Sequence, residues 1–558
     1  MSASIRSHIV HCVRTALDTA QASSQLPETE VTDLSIERPQ KAENGDFSCS
    51  LAMKLARPMR MNPKAIGEAI VAALPDSEIV GNVWVAGPGF VNFSLDEEWL
   101  QSQVGRVIEQ GQSFGSSDIG GGESVQVEFV SVNPTGPVHV GHARGAVIGS
   151  ALANALEAAG CDVQREYYVN DGGTQMELFY RTAYARYLQQ CGREAEIPDD
   201  GYRGEYMNDL AREIRERHGE KYLEMDAEQA TAAIGEVALE TIVDSIRNSL
   251  DRLGVGYDVW FRERSLYTEG GFDNVMSLID ERGYRAERDG AVWFAATELG
   301  AENDAVLIRS NGAPTYFASD VAYHHNKFIE RGFERVVDIW GADHQGHVNR
   351  MKAAVSAMGV DPDQLTLMIY QMVTFKQGDE LVRLSKRSGD IITVDDLVDQ
   401  VGADACRYFF LSRAAETQME FDLELAARQS SDNPVYYVQY AHARIASIIA
   451  GANELSIEFE DADLTLLNHE AELALIRKIV QLPELVEVMA SNLEVHHLPH
   501  YAQELATAFH WFYQQCRVIS TVEGEEELTK ARLRLCLASK IALARCLSLM
   551  GMSAPDRM

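Results

Sequence analysis

The sequence predicts an α/β protein. An open parallel-sheet domain occupies the middle, a smaller α/β module precedes it and an all-helical domain follows. Three observations predict this. Between Val125 and Val169 the pattern runs strand, turn, helix, strand, the makings of a parallel βαβ unit. After a long charged helical stretch, short strands and helices resume from Tyr257 to Phe375. Beyond about Asp422 nearly every run has helical spacing, as in a bundle.

Residues 1–115 read as the smaller module. A helical opening runs into Pro27 and an acidic, polar segment. Asn44-Gly45-Asp46-Phe47 is a turn signal carrying an aromatic ring. Leu51 to Arg57 and Pro63 to Leu74 have helical spacing, with Pro63 suited to a first turn. Val83-Trp84-Val85 and Phe90-Val91-Asn92-Phe93 are strand-like, around Gly87-Pro88-Gly89. Gly120-Gly121-Gly122 is a flexible lead-in to the second domain, residues 120–420.

That domain is organised around Glu128 to Arg144. Val125, Val127 and Phe129 alternate with polar residues, as a half-buried strand would. Asn133 to Pro137 breaks regular structure. A helix then presents Val147, Ile148, Ala151, Leu152, Ala155 and Leu156 on one face, and Gly160 ends it. His139 and His142 stand at the helix entrance. Such an entrance has unpaired N–H groups and the positive end of a dipole, and it attracts phosphate. Two histidines three apart can donate to charge developing at phosphorus. Gly141 between them lets a flat base approach the backbone. Composition alone gives about 0.03 expected occurrences of His-x-Gly-His in this chain.

The stretch from about residue 175 to 255 reads as a charged helical insertion. Arg203, Arg212, Arg215 and Arg217 alternate there with Glu205, Glu213 and Glu216, mostly as a solvated face. Val306 to Arg309 and Pro314 to Phe317, around Asn311-Gly312, read as a hairpin. A helix is expected from Ala318 to Arg331, with Asp320 in its first turn. Val336 to Trp340 is an apolar strand ending in Gly341-Ala342-Asp343-His344-Gln345-Gly346-His347, the expected place for a ligand in an open sheet. Met368 to Phe375 is a further strand. Leu381 to Gly389 carries the basic cluster Arg383, Lys386 and Arg387. Residues 421–558 form the helical domain, with helices at Val435 to Ala450, Leu464 to Met489, Leu498 to Ile519 and Thr529 to Met550.

Composition bounds function. Of 558 residues, 46% are hydrophobic, enough for large cores. No run approaches a membrane span, and the N-terminus lacks an apolar signal core. A soluble cytoplasmic protein is expected. Eight cysteines show no Cys-x-x-Cys pairing, which disfavours disulfides and structural zinc, and no metal-ligand set is expected. A net charge of −35 argues against indiscriminate nucleic-acid binding and leaves room for a cationic small substrate. No Gly-x-Gly-x-x-Gly follows a strand and no Walker Gly-Lys-Ser/Thr occurs, against a dinucleotide dehydrogenase and a P-loop ATPase.

The string Val-Glu-Phe-Val-Ser-Val-Asn-Pro-Thr-Gly-Pro-Val-His-Val-Gly-His, Val127 to His142, resembles the first signature of class I aminoacyl-tRNA synthetases, and that of the arginyl family in particular. Arg383-Leu384-Ser385-Lys386-Arg387 resembles the second, the Lys-Met-Ser-Lys-Ser loop. It departs at Arg383, Leu384 and Arg387, and keeps Lys386. Gly45-Asp46-Phe47, Ala86 to Asn92, Asp404 to Tyr408 and Met550 to Met558 extend the resemblance over essentially the whole chain. It implies a Rossmann-like class I catalytic domain, an N-terminal additional domain that touches tRNA, and a helical anticodon-binding domain.

The resemblance implies that ATP activates L-arginine, which then passes to the 3′ end of tRNA(Arg), with Mg²⁺ accompanying ATP. His139, His142 and Lys386 would be catalytic. His139, Gly141, His142, Arg383, Ser385, Lys386 and Arg387 would hold ATP. Glu128 and Asp320 would hold the guanidinium, since a planar fork of donors matches a carboxylate. Tyr316 would line it, Ser131 and Asn133 would meet the amino-acid end, and Asp343, His344 and His347 would stand behind. Asn44 and Phe47 would meet an unpaired tRNA base, and exposed members of Tyr436, Tyr437, Gln439 and Tyr440 the anticodon. The net acidity makes the expected tRNA contact local and salt-sensitive. With no heptad repeat demanding a dimer, a monomer is the default. Two alternatives remain: a related class I synthetase or small-molecule nucleotidyltransferase sharing the histidine box, or a non-catalytic tRNA-binding or assembly module.

Overall fold

A computed structural model describes residues 4–31, 33–39, 41–378, 380–381 and 392–558. Arg383, Ser385, Lys386 and Arg387 lie outside the described residues.

Five parallel strands make the central sheet: β1 Ser124–Phe129, β2 Asp162–Val169, β3 Val259–Arg262, β4 Arg335–Gly341 and β5 Leu365–Tyr370. Their order is β5-β4-β1-β2-β3. The order reverses between β1 and β4, so a crevice opens at their carboxyl ends, where open α/β sheets bind ligands. The helix Ala143–Ala158 crosses from β1 to β2 and is buried almost all round. Its small residues explain the close fit: a Cβ on Gly149 would come 2.2 Å from the Phe129 ring. The insertion is three helices, Gly173–Gln190, Glu205–His218 and Ala227–Arg252.

The N-terminal module is a four-stranded sheet, in which Phe47–Cys49 pairs with Phe90–Leu95, covered by helices. The helix Glu97–Gln110 packs on the C-terminal helices Glu470–Ile479 and Glu526–Leu549. Gln101 donates to the Leu467 carbonyl across that contact.

Three local expectations change. Tyr316 and Phe317 start a helix, Tyr316–His325, instead of a strand. Thr315 caps it, its Oγ1 accepting the Ala318 N–H, and Asp320 falls in the second turn. The expected strand Met368 to Phe375 is two: β5 ends at Tyr370, and Val373–Gln377 joins Met419–Asp422 in another sheet. Leu464 to Met489 breaks into Glu470–Ile479 and Leu482–Asn492, with Pro483 in the first turn of the second.

Candidate active site

The first signature lies at the switch point. After β1 the chain turns through left-handed backbone at Val130 (φ 72°) and Ser131 (φ 43°). A β-branched residue is strained there, and neighbours hold the corner. Ser131 Oγ donates to Glu128 Oε1 at 2.8 Å and accepts the Tyr168 N–H at 3.1 Å. The Tyr257 hydroxyl donates to the Phe129 carbonyl at 3.1 Å, and the Tyr167 hydroxyl to the Val132 carbonyl at 3.0 Å. The Asn133 amide donates to Gln175 at 2.6 Å. Tyr206, from the insertion, donates to the Thr135 carbonyl at 2.7 Å.

Val140–His142 is a single 3-10 turn leading into the helix Ala143–Ala158. His139 Nδ1 accepts the Gly141 N–H at 2.9 Å. That bond leaves the proton on Nε2, free to donate. A Cβ on Gly141 would come 2.9 Å from the same Nδ1, so the turn itself requires glycine. The rings of His139 and His142 lie 6.3 Å apart, edge to face. Burial first, and His139 second, push His142 down to about 4 against the pull of Asp343. His142 is therefore a neutral hydrogen-bonding group at physiological pH. Val140 N–H donates to Ile392 O and Val394 N–H to Val138 O, both at 3.0 Å, with His139 and Thr393 bridged between them. The chain leaving residues 382–391 is thus fastened to the first signature.

Three carboxylates cross the sheet in one row. Asp338, Glu128 and Glu166 are register partners on β4, β1 and β2, so their side chains share a face. The helix Tyr316–His325 and the π-helical turn Asn326–Glu330 lie over that face. Lys327 Nζ reaches Glu128 Oε2 at 2.5 Å and Asp338 Oδ1 at 2.8 Å. Arg331 reaches Glu166 Oε1 at 2.9 Å, and the Tyr323 hydroxyl donates to Glu166 as well. His324 Nε2 lies 2.9 Å from Asp338 Oδ2. Burial lifts the Glu128 carboxyl, while Lys327 pulls it back down. Glu128 is thus already matched by a cation inside the protein.

A further buried acid, Glu263, was not singled out from the sequence. It follows β3 directly and is 6% exposed, and its Oε2 has no hydrogen-bond partner among the described residues. Burial raises its carboxyl. Asp320 keeps an opening to the cleft, but protein encloses it elsewhere. That enclosure lifts its carboxyl to about 7; His324 opposes the rise, and Glu128 and Glu263 add to it. Among the described residues neither Asp320 nor Glu263 forms an ion pair. An acid directly after a parallel strand was the available signal for Glu263. Tyr316 stands at the mouth, 52% exposed. Asp343 and His344 lie in the turn Ala342–His347 after β4, exposed and 3.4 Å from each other.

Two expectations for tRNA contact fail on burial. Phe47 is fully buried under the Arg38 guanidinium, 4.2 Å from its ring centre, so it packs the module and cannot stack on a base. Asn44 beside it is half-exposed. Gln439 is buried, and its amide donates to Asp404 at 2.7 Å and to Ser553 O at 3.0 Å, so it ties elements together. Tyr436 and Tyr440 remain on the surface side of Pro434–Glu454, stacked at 6.1 Å and 9°. Arg444 lies 5.0 Å over Tyr440 and 4.9 Å over Tyr513. Tyr437 packs on His510 at 4.9 Å, its hydroxyl on Thr507.

The cleft therefore joins two sites. One has two acids that form no ion pair among the described residues, Asp320 and Glu263, and the other is a helix entrance carrying His139 and His142. Known proteins match this layout along the whole chain. The arginyl tRNA synthetase N-terminal domain matches residues 7–95. The class I (R) tRNA synthetase catalytic domain matches 103–426, and the DALR anticodon-binding domain matches 438–558. An arginine–tRNA ligase of Dehalococcoides mccartyi is 51% identical over 554 residues, covering 99% of each chain. One of Heliobacterium modesticaldum is 47% identical over 561 residues, again 99% of each. The structure of Thermus thermophilus arginyl-tRNA synthetase is similar at a TM-score of 0.77 and 23% identity, covering 99% of this chain and all of that one.

Proposed function

The chain belongs to the arginyl-tRNA synthetase family, and from that premise we propose how its residues divide the work of an arginine–tRNA ligase. The protein uses ATP to activate L-arginine and transfers the arginyl group to tRNA(Arg). Asp320 and Glu263 hold the guanidinium, with Tyr316 at the mouth. Glu128, Ser131 and Asn133 meet the amino and carboxylate end, and Asp343, His344 and His347 close the far wall. The observation that carries this division is the pair of acids Asp320 and Glu263, which form no ion pair among the described residues.

In the first step a carboxylate oxygen of arginine attacks the α-phosphorus of ATP, and the bond to pyrophosphate breaks. His139 Nε2–H and neutral His142 donate to the oxygens that gain charge. Gly141 keeps the turn narrow enough for the adenine side to lie against backbone. Arg383, Ser385, Lys386 and Arg387 hold the departing pyrophosphate. Among the described residues no group of three His, Cys, Asp or Glu side chains is placed to hold a metal. Mg²⁺ would arrive on the nucleotide's phosphates, as that ion commonly does, and neutralise their charge. In the second step a ribose hydroxyl of the tRNA end attacks the arginyl carbonyl and AMP leaves. Positioning supplies most of the rate.

Residues 1–115, 120–420 and 421–558 act as tRNA-touching module, catalytic domain and anticodon-binding domain, with the insertion 175–255 beside the acceptor end. Asn44 marks the module's tRNA face. Tyr436, Tyr440 and Arg444 form a stacking face for anticodon bases, flanked by Tyr437. No helix among the described residues is long and apolar enough to cross a membrane. The protein works in the cytoplasm as a monomer. Incubation with ATP, Mg²⁺, total tRNA and each amino acid in turn tests the reading. Arginine alone should be charged, and charging of another amino acid in its place sinks it.

A further inference from the structure

We propose that Lys327 is a positioning residue for arginine recognition: its ammonium clips Glu128 to Asp338 across the sheet and so aims Glu128, with Ser131, at the amino end of the substrate, a role that rests on the arginine-ligase reading above. Strand order creates the need for it. Register pairing of β4 with β1 sets Asp338 and Glu128 side by side on one face, and two neighbouring carboxylates repel unless a cation sits between them. Lys327 is fully buried and contacts both, 4.2 Å above the Tyr323 ring.

The helix delivers that cation by spacing. Asp320, His324 and Lys327 recur at i, i+4 and i+7, one face of a helix. A π-helical turn begins at Asn326 just before the lysine, a distortion frequent at functional sites. The same face thus carries the open acid Asp320 and, one and two turns on, the groups that fix the acid row. With Oε2 held by Lys327 and Oε1 by Ser131, Glu128 has one orientation. It also sits two residues before the strained corner Val130-Ser131, so its orientation and that corner are set together.

The test uses the full-length protein. In Lys327→Met, KM for arginine in the charging reaction should rise by roughly tenfold or more while KM for ATP stays put. This variant also leaves two facing carboxylates unpaired and can unfold. The double variant Lys327→Met/Asp338→Leu removes one charge of each sign and should melt closer to wild type, yet keep the raised arginine KM. Three results overturn the proposal: an unchanged arginine KM in Lys327→Met, a parallel rise in arginine and ATP KM, or recovery of both melting temperature and arginine KM in the double variant. If the wild-type protein charges no arginine at all, the ligase reading falls first and the proposal falls with it.

Discussion

At Arg407 a buried guanidinium is surrounded by backbone carbonyls. At Lys327 a buried ammonium is surrounded by carboxylates. Arg407 donates to Leu253 O at 3.1 Å, Gly254 O at 3.0 Å and Met550 O, and to Ser150 Oγ at 2.9 Å. Arg144 is a second case, with bonds at 2.8 Å to the carbonyls of Gln371, Thr417 and Ala414. Burial pushes both guanidinium groups down to about 10. Burial alone would lower Lys327 too, but Asp338 and Glu128 win and its affinity for the proton rises. Dipoles thus satisfy the first kind of cation without cancelling its charge, and its work is to gather distant stretches of chain. The second kind subtracts charge from a site that has too many acids. One kind of cation fixes shape and the other fixes electrostatics, and substitutions should separate them.

The largest effect is expected where shape is lost. Arg407→Met should cost about 3 kcal/mol or more, because several buried carbonyls lose their donor at once, read as an earlier thermal transition. The fraction still folded should keep its arginine KM, and a large KM change would break the distinction. Next is Asp320→Asn. Loss of a charge-assisted partner should raise arginine KM by roughly a hundredfold with ATP KM little changed and the melting temperature no lower than wild type. An unchanged arginine KM would remove Asp320 from the pocket.

The acid's titration sharpens the same point. With its carboxyl lifted to about 7, Asp320 binds a proton in the fold that the unfolded chain releases near the ordinary aspartate range. Stability of the free protein therefore falls as pH climbs from about 4 to 7. Arginine binding moves the other way, because the guanidinium needs the ionised acid. Its KM should fall about tenfold from pH 6 to pH 8, and Asp320→Asn should flatten that slope. Smaller again is Tyr440→Ala, expected to raise tRNA KM by about tenfold through one lost stack while arginine KM holds. The smallest is Glu213→Gln, which breaks the exposed ion pair with Arg217 on the insertion. Its melting shift should correspond to roughly 0.5 kcal/mol or less.

What could be read from sequence was what is encoded locally. The strand, turn and helix from β1 through Ala158 follow from alternation, prolines and glycine, and the histidine box lies within a few residues of them. The acid row does not, because Asp338, Glu128 and Glu166 meet only through strand order, which periodicity leaves open. Lys327 was hidden for the same reason, as one lysine in a helical run. Thr315, Tyr316 and Phe317 look like strand by side-chain type, but Thr315 caps a helix that packing demands. Phe47 shows the converse: an aromatic residue after a turn signal suits a base or a core equally, and only its position under Arg38 decides.

The cage around Arg407 also bears on how the polypeptide is made. Its carbonyls come from Leu253, Gly254 and Met550, and Asp404 nearby bonds Ser553. A Cβ on Gly551 would come 2.3 Å from the guanidinium, so the tail lies tight against it. While the chain is still on the ribosome, this arginine has its first two carbonyl acceptors long before the third exists. A chain ending before Met550 would leave the Arg407 guanidinium without that acceptor and short of one buried hydrogen bond.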